Sequence, residues 1–365
     1  MNLMSATTDF KSLVKKYDNF NAPAVEIMVG STKLMTSKDL DIVRVEVELT
    51  SGYEASGCVF EISGAYDVEK TDFSKDISVI QIGEKVEVLI GYVRKESVFS
   101  GYVNQIEYGY GLEEAAFGIR VECMDAKGVL MKNRRLEFFT EKSADAIVKK
   151  VLSESPVSSY LSGKEVDTCP KEEIPLRSHM MTDYELIVEQ ASKQGYEFFI
   201  IQGKAYFRKK QKVTSTLMKL SLQNGIIGAK LSLSGQQLVK KIEVRSIDET
   251  NGKQIKGNAT IAGRFSQGSS GNRLLGDSTQ VFYEPAVADA NEAKKRAEAR
   301  AEAIADQFGE LECECVGIPE LTPGRFVQVE KLSSQANRKY YVQYVRHVID
   351  EDGYRTYFKA GVNSL

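Results

Sequence analysis

The chain has 365 residues, 42% of them hydrophobic, which is enough for two ordinary cores and long for one. Its 48 Lys and Arg stand against 51 Asp and Glu, a net charge of -3, so no global basic field favours a polyanion partner. The five cysteines, Cys58, Cys123, Cys169, Cys313 and Cys315, are an odd number thinly spread, which argues against a disulfide framework and for a reducing cytoplasm. No signal-peptide core opens the chain and no apolar run reaches membrane-span length, so the expectation is a soluble protein not exported by the usual route.

Residues 1–21 read as an N-terminal arm. Phe10, Leu13, Val14 and Tyr17 have helical spacing, which predicts either a short amphipathic helix or docking arm, or a partly disordered tail. From Ala24 the period becomes two: Val43, Val45, Val47 and Leu49 face one way, and Arg44, Glu46 and Glu48 the other, as in a half-buried strand. Strand-like runs at 84–92, 98–110 and 118–125 follow at the spacing of a small barrel or sandwich, which gives a first β domain over 22–135.

Helical and hairpin patterns fill 136–212. Ile147, Val148, Val151 and Leu152 form one stripe with Ser143 as its expected cap, and Pro156, Pro170 and Pro175 mark a connector. Thr182 and Glu185 have capping-box spacing at the start of a second helix. Its buried face is Tyr184, Ile187, Val188 and Ala191, and Gly195 ends it. "YEFFI" and "AYFRK" then pair as a hairpin across Gln202, Gly203 and Lys204. A second β domain spans 213–365, interrupted by a Gly/Ser/Asn-rich loop at 249–276 and a helix at 286–308 whose Ala290, Ala293, Ala297, Ala301, Ile304 and Phe308 recur at helical spacing. On that helix Lys294, Lys295, Arg296 and Arg300 lie among Glu292, Glu298 and Glu302, the pattern of a solvated face.

The two β domains share a local pattern. Gly83–Val88 and Gly324–Val329 both read G-x-x-V-x-V, each is followed by two further strands, and Pro323 with Gly324 suits a type II turn. The matching strand order points to two copies of one barrel.

Candidate chemistry is sparse. His179 and His347 are the only histidines, too few for a His-rich metal site or a His-based relay. Cys313 and Cys315 in "LECECV" alternate with Glu312 and Glu314, so they read as small buried apolar residues rather than ligands. Ser12 and Lys15 match S-x-x-K by chance length, and "GSSGN" at 268–272 lacks the Lys and Ser/Thr of a phosphate loop. Glu113 and Glu114, like Asp350, Glu351 and Asp352, sit in turn-like segments where carboxylates are solvated. The expectation is no catalytic, cofactor-binding or metal-binding residue, and no cofactor.

Taken together, "GEKVEVLIGYVRKESVFSGYVNQIEYGYG", "FGIRVECMDAKGVLMKNRR", "TDYELIVEQASKQGYEFFIIQGKAYFRKK", the alanine-rich helix and "GIPELTPGRFVQVEKL" resemble, in this order over about residues 22–361, the late control protein D family of contractile phage tails. These are baseplate hub proteins, similar also to the hub part of type VI secretion spikes and of phage-tail-like bacteriocins. The resemblance implies a mainly β fold with inserted helices (α+β), made of two tail-tube-like β-barrels joined by a small helix-plus-hairpin region. It also implies a homotrimer whose pseudo-sixfold ring meets the hexameric tail tube on one face and a trimeric spike on the other, among other baseplate proteins. The chain ends soon after "YRTYFKAGVNSL", without room for a needle. That implies a separate spike protein and favours a phage tail or bacteriocin-like particle over a type VI spike. Assembly is expected in the bacterial cytoplasm, followed by residence in the tail baseplate, with no sequence-specific nucleic acid and no direct membrane span. The competing reading is a tail-associated cell-wall hydrolase using Glu113 or Glu114, which requires a deep cleft with one desolvated carboxyl group.

Overall fold

The computed structural model describes residues 6–362 apart from 64–65, 68, 74, 111–117, 141–142, 172–179, 249–250, 262–272 and 286. Helix α1 (Phe10–Lys16) turns Leu13 into the core and Tyr17 follows it, so residues 10–17 are folded rather than a loose tail. Strand β1 (Ala24–Val29), the two-residue β2 (Thr32–Lys33) and the one-turn α2 (Leu34–Ser37) lead into β3 (Ile42–Thr50). There Val45, Val47 and Leu49 are buried as the alternation predicts, but Val43 is 51% exposed. The register shifts between Ile42 and Arg44, and an extra residue in one strand leaves the ladder and breaks the period. The first barrel continues with β4 (Gly57–Ile62), the small hairpin β5 (Tyr66–Asp67) and β6 (Asp72–Phe73), then β7 (Lys85–Gly91), β8 (Lys95–Tyr108) and β9 (Ile119–Met124).

A separate core holds the joining region: α3 (Lys127–Lys132), β10 (Arg134–Arg135), α4 (Ala144–Val151), β11 (Gly163–Val166), β12 (Met181–Thr182), α5 (Asp183–Gln194), β13 (Tyr196–Ile201) and β14 (Lys204–Lys209). Ser143 holds the N-cap position of α4, yet its side chain makes no capping bond. The capping box of α5 is formed as its spacing predicts. Glu185 N donates to Thr182 Oγ1 (3.1 Å), Thr182 N donates to Glu185 Oε2 (2.7 Å), and Gly195 ends the helix at φ 66°. The hairpin turn has two residues, not three. Gln202 and Gly203 both take positive φ, the signature of a type I′ turn, and Lys204 already pairs with Ile201.

The second half opens with β15 (Thr216–Leu220) and β16 (Ile226–Leu233). A three-stranded sheet of β17 (Lys241–Ile247), β18 (Gln254–Thr260) and β19 (Thr279–Tyr283) then carries α6 (Ala290–Ala305) on one face. Part of the expected loop is therefore strand. The glycine that gave it loop composition serves packing: a Cβ on Gly257 would lie 2.1 Å from the backbone of Ala293 and Lys294 in α6. The helix is shorter than its periodicity suggests, beginning where the Asp289 carboxylate accepts from Glu292 N (2.8 Å) and ending at Ala305. Arg296 departs from the predicted solvated face. It is only 5% exposed and its guanidinium pairs with Glu284 (3.1 Å) and with Glu292, because it lies one position from Ala297 on the buried stripe. The chain closes with β20 (Gly309–Val316), β21 (Phe326–Val329), β22 (Lys339–Asp350) and β23 (Gly353–Val362).

The barrels are copies in register. The first follows the strand order β7-β8-β9-β4-β3 and the second β21-β22-β23-β20-β16. Gly83 N donates to Val103 O (2.9 Å) while Val103 N donates to Glu84 O (2.9 Å). Gly324 N likewise donates to Val342 O (2.9 Å) while Val342 N donates to Arg325 O (2.8 Å). Both glycines have φ between 80° and 91°. The bulges coincide too. β8 shifts between Val103 and Gln105 as β22 does between Val342 and Tyr344, and β3 shifts at Val43 as β16 does at Ile227. The copies differ at β1, antiparallel to β7, whereas β15 runs parallel to β21. β3 pairs with β22, so one thirteen-stranded sheet and one continuous apolar core run through both barrels.

A buried lysine anchors the joining region to the first barrel. The turn after β3 leaves three carbonyls without strand partners, and Lys127 Nζ donates to all three, Thr50 O (3.2 Å), Gly52 O (3.1 Å) and Glu54 O (2.9 Å). Beside it the Asp125 carboxylate accepts from Ser56 N (3.1 Å) and Lys127 N (2.9 Å). Burial pushes the Lys127 pKa down and the Asp125 pKa up. Lys127→Met is expected to lower unfolding stability by about 3 kcal/mol, since it strands the Thr50 and Glu54 carbonyls, leaves Gly52 O with Tyr184 OH alone and removes the positive charge beside the buried Asp125 carboxylate. Denaturant titration checks this; a loss under ~0.5 kcal/mol contradicts the anchoring role.

Candidate functional site

The buried polar groups that the structure singles out lie at seams between parts of the fold. The joining region grips the two equivalent turns. Tyr160 OH donates to Gly83 O (2.9 Å) in the first barrel and Arg208 Nη2 donates to Gly324 O (2.7 Å) in the second. The Gly324 turn needs glycine twice over, for its φ of 80° and because a Cβ would lie 2.7 Å from the Phe199 ring. Arg208 also donates from Nε to Glu197 Oε1 (2.9 Å) and stacks on Phe199 (4.9 Å to the ring centre). Tyr341 OH of β22 donates to Glu197 at 2.6–2.7 Å. Burial pushes the Glu197 carboxyl up, opposed by the Arg208 charge, and burial with the Glu197 charge holds the Tyr341 hydroxyl protonated. At its other end the hairpin bonds to the first barrel through Gln202 Nε2 and Ser97 O.

The N-terminal arm crosses the seam between the barrels. Tyr17 packs on Tyr92 of the first barrel (5.3 Å between ring centres), and Tyr92 packs on Tyr354 of the second (5.7 Å) and donates to Gly317 O (3.1 Å). Tyr17 OH and Lys16 Nζ both reach Glu320 Oε1 (2.7 Å), and Lys16 bridges on to Glu96 (2.5 Å).

Each residue weighed for chemistry in the sequence has a place. His347 is fully buried, its Nδ1 within 2.9 Å of Tyr354 OH and 3.1 Å of Thr356 Oγ1, and burial pushes its pKa down to about 4. Cys313 and Cys315 are buried in β20 as the alternation predicts, with pKa values raised by desolvation. Ser12 and Lys15 are exposed on α1 with no shared site. Asp350, Glu351 and Asp352 form the β22–β23 turn, where Asp352 N donates to Asp350 Oδ1 (3.1 Å). His179, Glu113, Glu114 and the segment 268–272 lie outside the described residues. Among the described residues, no group of three or more His, Cys, Asp and Glu has metal-binding geometry, and no helix is long and apolar enough to cross a membrane.

Sequence reasoning missed Lys127, Glu197, Arg208 and Glu320. A signal existed for one pair. In the hairpin register Glu197 stands directly opposite Arg208, two opposite charges beside the apolar interior residues Phe198, Phe199, Tyr206 and Phe207.

The fold is that of phage tail proteins. At TM-score 0.70 and 15% identity it is similar to the 43 kDa tail protein of prophage MuSo2 from Shewanella oneidensis, covering 93% of this chain and 98% of that one. A tail protein from Neisseria meningitidis MC58 matches at TM-score 0.71 and 13% identity, covering 94% and 97%. An E. coli component of the type VI secretion system, similar in structure to the T4 bacteriophage tail proteins gp27 and gp5, matches at TM-score 0.57 and 11% identity, covering 93% and 79%. The chain belongs to the Alg8 N-terminal domain family, whose profile matches residues 21–351. No curated protein sequence matches the chain.

The buried imidazole makes a pH prediction. A folded pKa of about 4 for His347 lies below the ordinary imidazole value of 6.5, so the unfolded chain binds the extra proton and stability falls as pH drops from 6.5 towards 4. The contribution is about 3 kcal/mol over that window. The chain has two histidines. NMR of labelled imidazoles is expected to show one ring that does not titrate above about pH 5; two rings titrating near 6.5 contradict it.

Proposed function

We propose that this chain is a structural baseplate hub of a contractile phage tail or phage-tail-like injection particle. In this reading three copies form a ring that meets a sixfold tail tube on one face and a threefold spike on the other, within a tail baseplate. The observation that carries the reading is the internal repeat. Each chain presents two barrels with the same strand order, the same bulges and the same turn hydrogen bonds, fused through β3 and β22. Three such chains present six equivalent barrels, so one object matches sixfold and threefold partners at once. The buried polar groups support a mechanical role, because they tie the arm and the joining region to both barrels.

The cell-wall hydrolase reading lacks a matching site among the described residues. A cleft of about 890 Å³ is lined by Glu48, Tyr184, Glu197 and Tyr341, and Glu197 is its desolvated carboxyl. Both oxygens of Glu197 are taken, Oε1 by Arg208 and Tyr341 and Oε2 by Tyr341, so neither is turned out to meet a leaving group in the cleft.

Light scattering across a concentration series tests the reading. Three chains of 40.6 kDa give about 122 kDa, and that species is the expected result, alone or with spike and tube proteins added. A strict monomer in every mixture, or clearing of peptidoglycan in a zymogram, contradicts it.

A further inference from the structure

The pairing that joins the two barrels has a counterpart that no described strand occupies. β3 adds to the far half of β22, from Val45 opposite Ile349 to Thr50 opposite Tyr344. Its equivalent in the second barrel is β16, which pairs with β20 alone and ends the thirteen-stranded sheet. The equivalent of the far half of β22 is Gln105–Tyr108 of β8. β9 holds one side of that segment, whereas pairing with β7 stops at Tyr102. An unpaired strand edge is a template for another strand. We propose that a second copy of this chain supplies it: β16 of one protomer adds to the Gln105–Tyr108 edge of β8 in the next, repeating between chains the joint that β3 and β22 make within one.

The shared bulges carry the register across. They set Gln105 opposite Ser234, Ile106 opposite Leu233, Glu107 opposite Ser232 and Tyr108 opposite Leu231. Which groups face the edge agrees as well. Gly109 N donates to Gly118 O on the β9 side and Ser234 N to Phe308 O on the β20 side, which turns the backbones of Ile106, Tyr108, Leu231 and Leu233 towards the open edges. On one face of the new ladder these four residues form an apolar row, in the positions that Val345, Val47, Leu49 and the buried His347 hold in the intrachain joint. Tyr108 is 42% and Leu233 40% exposed in the single chain.

Charge on the other face selects the same arrangement. Within the chain Arg346 bonds Glu46 at 2.5 Å across the joint. The equivalent positions are Glu107 and Lys230, a complementary pair with its polarity reversed. In the single chain each pairs on its own side of the joint, Glu107 with Arg120 and Lys230 with Glu312, both at 3.7 Å, and Glu107 also accepts from Gln105 Nε2 (2.8 Å); the two side chains stay 42% and 74% exposed. The two edges of one sheet thus end in opposite charges. Phe73 of the β5–β6 hairpin packs against Tyr108 (5.5 Å between ring centres), but β5 and β6 pair only with each other, so the hairpin does not take the strand position. The contact is head-to-tail, and it rests on the ring reading only for the number of copies at which it closes.

Cysteine pairing tests the register on the full chain, whose five native cysteines are buried. Ser234 and Gln105 are set as a non-hydrogen-bonded pair, where side chains lie close enough for a disulfide. A mixture of Gln105→Cys and Ser234→Cys proteins is expected to yield a disulfide dimer under mild oxidation, and neither alone. Glu107→Lys and Lys230→Glu are each expected to weaken assembly roughly tenfold, and the double swap to restore it. A 122 kDa ring with neither the 105–234 disulfide nor rescue overturns the inference and leaves the ring reading standing. A chain that stays monomeric with no disulfide in the mixture overturns both.

Discussion

The pairing of β3 with β22 is the constraint on which the rest of the molecule depends. Without it the two barrels are separate domains on a linker, free to move as such domains usually are. With it they share one sheet and one core. The spacing between two equivalent surfaces is then set by hydrogen bonds rather than by a flexible tether. The joint carries Arg346 on Glu46 on its polar face, and on its other face Val345, Val47 and Leu49 continue the core from one barrel into the next. The joining region reinforces it by holding the carbonyls of Gly83 and Gly324, the same position in both copies.

Legibility followed the length over which a pattern runs. The alternation in β3, the capping box of α5 and the G-x-x-V-x-V echo are local, and each predicted its element because hydrophobic period and turn chemistry act over a few residues. The misses came from distant partners. Gly257 gives its segment loop composition, yet it is glycine because the α6 backbone lies against it. Arg296 sits in a charge-rich helix that reads as solvated, and only the fold shows Glu284 arriving to pair with it. Val43 shares the strand period of its neighbours until a bulge takes it out, and periodicity carries no sign of a bulge.

Among the described residues, Lys127, Arg208 and Glu197 are buried ionisable groups that each bond across parts of the fold. The pairing of Glu197 with Arg208 was legible from the hairpin register, but Lys127 was not, nor were the long-range partners of the set: Thr50 and Glu54 for Lys127, Gly324 for Arg208 and Tyr341 for Glu197. Buried charges of this kind contribute little net stability, yet removing one partner is costly, which suits parts whose relative placement must be unique. The ring proposed for this chain would have that requirement, since error in the placement of one barrel against its twin would be repeated around it.

The shared sheet is tested most directly by residue-level hydrogen exchange in β3. The amides of Val45, Val47 and Leu49 face β22, on the side where Ser51 N donates to Gln343 O (3.0 Å), while those of Glu46 and Glu48 face β4. The account predicts that both sets exchange equally slowly, as in the interior of a sheet. Fast exchange confined to Val45, Val47 and Leu49 would make β3 an edge strand and contradict the fusion of the two barrels.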